Sequence, residues 1–309
     1  MAKIKKKILS IDGGGIRGII PAIILAEIEK RTGKKISDMF DLIAGTSTGG
    51  LIAAMIASQN HKPADLIVEL YEKRGHEIFS RDICAFIFSF ASLSDHKFSS
   101  TGITKVLTDV FGEETIDSVE KDLLITAYDI NNREPYFFKS WRPDFNGIPL
   151  VTICKATSAA PTYFEPVDTS IQGKDRTFID GGVFVNNPAV SAYVEAIRIY
   201  GPDVYMLSLG TGTLVESIKY EDAKSWGKIE WISPLLDCMF GASSDVVDYQ
   251  MNMLLGEDFT RLQLKNIKDD NMALDDASAD NIAALKLAAK EFIEKNTVMI
   301  DNIIKRISC

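Results

Sequence analysis

The stretch "FDLIAGTSTGGLIAAM", residues 40–55, passes from an apolar run into a helical pattern through a serine set among threonines and glycines. "FDLIAGTS" predicts a strand, and "TGGLIAAMIAS" predicts the helix that follows it. Between them Gly45, Thr46, Ser47, Thr48 and Gly49 spell G-x-S-x-G, in the strand-to-helix context that a nucleophile elbow requires. In such an elbow the serine sits on a sharp, strained turn. The residues two before and two after it stay small because strand and helix approach closely there. The hydroxyl is then presented at a helix N-terminus, where backbone N–H groups and the helix dipole favour developing negative charge. The competing reading of the same five residues is a turn of small residues chosen for packing alone.

Working outward, short β-rich runs alternate with longer helical patterns. Strands are predicted at 7–12, 123–130, 134–141, 177–182 and 203–212, and helices at 19–31, 63–74, 102–111 and 187–200. Alternation of this kind predicts an α/β fold of three layers, a mainly parallel central sheet covered by helices on both faces. Residues 213–250 read as an irregular excursion over one face, with Trp226, Trp231, Met239, Met251 and Met253 in or beside it. Residues 279–308 repeat apolar positions at helical spacing and predict one or two docked helices. With no internal repeat and no linker, the 309 residues read as a single domain, its motifs in 7–212 and an elaboration in 213–309. The stretch 79–98, rich in phenylalanine, reads either as a core helix or as a lid facing lipid.

Composition narrows the function. A 46% apolar and 25% charged chain supplies a sizeable core, and a net charge of −9 argues against a sequence-independent grip on nucleic acid or constant adhesion to an anionic membrane. The short basic cluster Lys3, Lys5, Lys6 and Lys7 reads as a solvated tail. Four widely spaced cysteines, Cys84, Cys154, Cys238 and Cys309, fit reduced thiols and hence a reducing, cytoplasmic compartment. Neither a signal peptide nor an apolar run long enough to span a bilayer is predicted. Peripheral membrane contact and secretion without a classical signal remain open readings, as does the oligomeric state.

A serine nucleophile needs a base, and the usual one is histidine. Only His61, His76 and His96 are present, none at the end of a predicted strand and none late in the chain, where an α/β-hydrolase order would put it. All three read as surface or structural residues. The other candidate is Asp180 in "FIDGG", which ends an apolar strand at the same carboxyl edge of the sheet as Ser47 and is followed by Gly181 and Gly182. An aspartate with an ordinary pKa near 3.9 is a weak base, so burial must raise it or an oxyanion site must carry much of the barrier. Such a site is offered after the first strand by Asp12, Gly13, Gly14, Gly15, Ile16, Arg17 and Gly18. Glycines leave backbone N–H groups unobstructed, and Arg17 adds positive charge. Gly13, Gly15 and Gly18 also spell the dinucleotide pattern G-x-G-x-x-G, but the second strand ends in "AGTS" where an acidic residue should hold a ribose.

With "DGGGIRG", "GTSTG" and "DGG" in this order, together with "ATSAAPTYFEPV" (156–167) and "NNPA" (186–189), the chain resembles the patatin-like phospholipases over about residues 7–212. The resemblance implies a lipid acyl hydrolase of phospholipase A or lysophospholipase type. It further implies a Ser47–Asp180 dyad, an oxyanion site from Gly13, Gly14, Gly15 and Arg17, elbow glycines Gly45 and Gly49, and no metal or other cofactor. Its partners would be phospholipid or another acyl lipid, met by transient contact with a membrane surface. Acyl transfer by the same dyad, and a non-catalytic nucleotide- or lipid-binding module, are the alternative functions.

Overall fold

The computed structural model describes residues 5–79, 100–161, 163–213, 218–227, 230–265, 267 and 274–308. Among them the strands are β1 (Lys6–Ile11), β2 (Leu42–Gly45), β3 (Asp122–Asp129), β4 (Glu134–Lys139), β5 (Val167–Ile171), β6 (Lys174–Asp180), β7 (Val204–Leu209) and β8 (Phe259–Leu262). The helices are α1 (Ile19–Thr32), α2 (Ile36–Met39), α3 (Thr48–Ala57), α4 (Ala64–Phe79), α5 (Ser100–Phe111), α6 (Leu150–Ser158), α7 (Ala189–Tyr200), α8 (Tyr220–Ala223), α9 (Ile232–Leu255), α10 (Ala279–Lys295) and α11 (Thr297–Ile307).

All the strands join one sheet in the order β5-β6-β3-β2-β1-β7-β8, with β4 also paired to β3. From β3 to β8 neighbouring strands run parallel, whereas β4 and β6 run antiparallel to β3, and β5 antiparallel to β6. The parallel body follows from its sequences: β2 and β7 are buried at every residue, which requires cover on both faces. Leu9, Ile11, Ile43, Leu123, Ile125 and Leu207 face the larger core beneath α1, α3, α4, α6 and α10. Ile8, Leu42, Ala44, Leu124 and Met206 face a thinner layer formed by α7 and α9. The strict alternation of these residues is the period of a pleated strand.

The register of β3 positions the site. Leu124 and Ile125 pair with both β2 and β4, while Ala127, Tyr128 and Asp129 pair with both β4 and β6. Strands β2 and β6 therefore share one edge of β3, and β6 takes over where β2 stops. Gly45 lies opposite Ile125 and Asp180 opposite Ala127, two residues farther along. The turn after β2 and the end of β6 meet at that junction.

Several expectations change. The stretch 213–250 is not simply irregular, since it holds α8 and most of α9, a helix of 24 residues. Its period is hard to read because α9 buries Ser244 and Met251 while leaving Leu235, Met239, Val246, Tyr249 and Met253 exposed. Trp226 and Trp231 pack edge to face at 5.1 Å. Lys6 and Lys7 are not tail residues but open β1: Lys6 pairs with Asp41 at 2.8 Å, and Lys7 Nζ donates to the Ile307 carbonyl. The C-terminal repeat forms two helices, α10 and α11. The phenylalanine-rich stretch lies, beyond the end of α4, outside the described residues. Among the described residues no helix is long and apolar enough to cross a membrane.

Candidate active site

Ser47 links β2 to α3 with φ 55° and ψ −126°, a conformation that costs a non-glycine residue energy. The turn is held from all sides. Thr46 N–H donates to the Ile11 carbonyl at 3.2 Å, Thr46 Oγ1 to the Val185 carbonyl at 2.9 Å, and Ser47 N–H to Thr157 Oγ1 at 2.8 Å. The flanking glycines are required sterically. A Cβ on Gly45 would run into the Gly49 carbonyl, and one on Gly49 into the Ile11 carbonyl. This is the close strand–helix approach that the G-x-S-x-G spacing predicts.

Asp180 ends β6 with only 3% of its surface exposed. Its N–H donates to the Ala159 carbonyl at 2.9 Å, its Oδ1 accepts from Gly182 N–H at 2.7 Å, and it lines the same cavity as Ser47. Burial pushes its pKa up to about 6, against the opposing pull of the Ser47 and Gly182 hydrogen bonds. The alcohol and the acid therefore line one cavity. Among the described histidines, His61 is buried elsewhere, with Nδ1 3.0 Å from the Ile56 carbonyl and Nε2 3.8 Å from Glu29, and His76 is exposed on α4. Neither lines the cavity over Ser47. His96 lies outside the described residues.

The glycine loop after β1 forms a wall of that cavity through Gly14 and Gly15, with Gly15 at φ 57°. Gly13 has a different task. Its N–H donates to the Asn186 carbonyl at 3.1 Å and its carbonyl accepts from Thr211 Oγ1 at 2.7 Å, so it anchors the loop. Arg17 is buried behind the loop, where its Nε donates to the Gly14 carbonyl at 3.3 Å. Burial pulls its pKa down to about 10, with Asp237 opposing, so it stays charged at neutral pH. Arg17 lines a second, polar cavity with Asp237, Ser244 and Lys265 rather than the one over Ser47.

Other contributors come from outside the glycine loop, the elbow and the strand end at Asp180. Arg261 of β8 makes a two-pronged ion pair with the buried Asp12, at 2.8 Å and 2.5 Å, and also donates to Ser208 Oγ at 2.9 Å. It thereby fixes the residue that precedes the glycine loop. Thr157, Ser158 and Ala159 at the end of α6 wrap the Ser47–Asp180 pair, and Phe240 of α9 closes one side of the cavity. The remaining lining is mostly apolar: Leu51, Ile78, Ile103, Phe164 and Leu274. A mostly apolar cavity lined by the half-buried Ser47 and the buried Asp180 suits a chain-like acyl group.

The family model described as "Patatin-like phospholipase" matches residues 9–193, which include the glycine loop, the elbow and Asp180. The chain belongs to the patatin-like phospholipase family. Curated relatives extend the likeness past that region. Patatin-like protein 2 of Oryza sativa subsp. indica is 30% identical, over 95% of this chain and 85% of its own length. Patatin-like protein 2 of Arabidopsis thaliana is 31% identical, over 95% and 84%. A Solanum tuberosum relative at 31% identity, over 94% and 86%, bears the name "Probable inactive patatin-3-Kuras 1", so membership in the patatin-like family does not by itself establish activity. Among solved structures, human GIVD cytosolic phospholipase A2 shares the fold with a TM-score of 0.50 at 9% identity, over 99% of this chain and 60% of that one.

Proposed function

We propose that this protein is a lipid acyl hydrolase that cleaves fatty acyl esters through a Ser47 acyl-enzyme, with Asp180 as general base. The observation that carries the reading is that Ser47 and the buried Asp180 carboxylate line one cavity, brought there along the shared edge of β3. A base of pKa about 6 is about ten parts ionised to one protonated at pH 7, yet takes a proton more readily than an ordinary aspartate. In the first step Ser47 Oγ attacks the ester carbonyl carbon while its proton passes to Asp180. The tetrahedral oxyanion is stabilised by the N–H groups of Gly14 and Gly15 and by the N-terminus of α3 at Thr48. Asp180 returns the proton to the departing alcohol, and the lysolipid leaves. Water then attacks the acyl-enzyme, again giving its proton to Asp180, and Ser47 is restored.

Within this mechanism Gly13 and Arg17 act by holding the loop, Gly13 through Asn186 and Thr211 and Arg17 through the Gly14 carbonyl. Phospholipid is the proposed substrate class, supported by the family and by the apolar cavity. The test is a panel of phospholipids, lysophospholipids and acylglycerols incubated with wild-type protein and Ser47→Ala, with fatty acid and lysolipid separated as products. Wild-type protein should release free fatty acid and Ser47→Ala none. A folded Ser47→Ala protein that retains most of the activity would reject the proposal.

A further inference from the structure

The glycine loop and the elbow meet at a tyrosine that lies outside all of the sequence motifs. Tyr71 of α4 is 1% exposed, and its OH is hydrogen-bonded to Thr48 Oγ1, the hydroxyl of the residue that follows the nucleophile. Burial raises the Tyr71 pKa above that of an ordinary phenol, against the pull of Thr48, so the group stays neutral at working pH. Gly18, the last glycine of the loop, lies against the same two hydroxyls. A Cβ there would run into Thr48 Oγ1 and come within 2.6 Å of Tyr71 OH. In the sequence Gly18 completes the pattern G-x-G-x-x-G; in the fold it leaves room for this contact.

Three segments are pinned at this point. Thr48 opens α3, and its N–H, like the others of a first helical turn, has no acceptor within the helix. Helix α4 packs against α1 and against the turn of residues 15–18 in the glycine loop. Thr46 and Ser47 are tied from the strand side, by Ile11, Val185 and Thr157, whereas Thr48 is tied from the helix side, by Tyr71. Thr48 and Ser47 line the same cavity as Gly14 and Gly15, and Tyr71 stands behind them without lining it. The two buried hydroxyls satisfy each other, so removing either strands its partner.

We infer that Tyr71 is a positioning residue for the oxyanion site. By fixing Thr48 against Gly18 it holds the N-terminus of α3 and the glycine loop at the separation that the tetrahedral intermediate requires. The inference rests on the acyl-enzyme reading proposed above. Tyr71 touches no reacting atom and acts only through Thr48. Donors that drift from their places lose most where the charge is greatest, on the oxyanion, and little on the ground-state ester. The effect of Tyr71 therefore falls on turnover and not on substrate binding.

The experiment compares wild-type protein with Tyr71→Phe, Thr48→Val and the double variant. It uses steady-state kinetics on a soluble ester, thermal melting, and fluorophosphonate titration of Ser47 to count active sites. Each single variant strands one buried hydroxyl and should melt below wild type, whereas the double variant removes both and should regain most of that loss. The inference predicts kcat per titrated site about tenfold below wild type in all three variants, as for one hydrogen bond and less than for a direct oxyanion donor, with KM within about twofold. A merely structural bond would return kcat to wild type along with the melting temperature in the double variant, and that result would overturn the inference. So would a wild-type kcat in Tyr71→Phe, a loss confined to KM, or a double variant that fails to fold. Where a single variant does not fold, the double variant decides alone. A folded wild-type protein that hydrolyses no ester and takes no fluorophosphonate at Ser47 would remove the underlying reading, whereas wild-type turnover undiminished by Tyr71→Phe removes this inference only.

Discussion

Replacing Asp180 with asparagine separates two consequences of burying one carboxylate. Burial pushes the Asp180 pKa from 3.8 up to about 6, even though Ser47 and Gly182 hydrogen-bond the charged form. At ~1.4 kcal/mol per pH unit, holding that charge in the folded protein at pH 7 costs ~3 kcal/mol relative to the unfolded chain. The sign follows from the raised value. Below pH 3.8 the carboxyl is neutral in both states and nothing is lost, and the cost grows as pH rises until it is complete above about pH 6. Asp180→Asn should therefore be more stable than wild type by up to ~3 kcal/mol at pH 7, and by only ~1 kcal/mol at pH 4.5. Urea unfolding of both proteins at the two pH values measures the difference directly. The same substitution should lower turnover by a factor of about 10² to 10⁴, the range for loss of a general base. A variant no more stable than wild type at pH 7, or one whose advantage is the same at both pH values, would refute the reasoning.

Other outcomes follow from single contacts. Ser47→Gly should abolish hydrolysis and raise stability in urea unfolding by ~1 kcal/mol, because glycine accepts φ 55° and ψ −126° without strain. Arg261→Ala should destabilise by ~3–5 kcal/mol in the same assay, because it leaves Asp12 buried and unpaired. Arg17→Ala should lower kcat by less than the factor of about 10² to 10³ that follows loss of a direct oxyanion donor, because it acts only by releasing the Gly14 carbonyl. Steady-state kinetics with a soluble ester checks it.

The elbow was legible because its chemistry is local. Two glycines, a serine and a switch of period from two to 3.6 suffice, and the structure accounts for each glycine by a named carbonyl. Asp180 was legible as a strand end, but its meeting with Ser47 depends on β6 replacing β2 along one edge of β3, a pairing between residues far apart in the chain. The division of labour in the glycine loop was hidden for the same reason. Gly13 and Gly14 look alike in "DGGG", and only Asn186 and Thr211, which arrive from distant loops, give Gly13 its anchoring role. Helix α6 was missed because "LVTICKATS" is rich in β-branched residues, which favour strands. Strand β8 was missed because four residues between charged and polar neighbours give too short an alternation. With β8 went Arg261. Thr157 stood in the quoted stretch "ATSAAPTYFEPV", but without α6 nothing showed that its hydroxyl would take the Ser47 N–H, a tertiary contact.

The pairing of one alcohol with one acid is tested most directly by the pH dependence of fluorophosphonate labelling, with the modified residue mapped by peptide mass spectrometry. The account predicts a single adduct on Ser47, formed at a rate that falls about tenfold per pH unit below pH 6 and drops sharply in Asp180→Asn. An adduct on another residue, or a labelling rate that Asp180→Asn leaves unchanged, would contradict it.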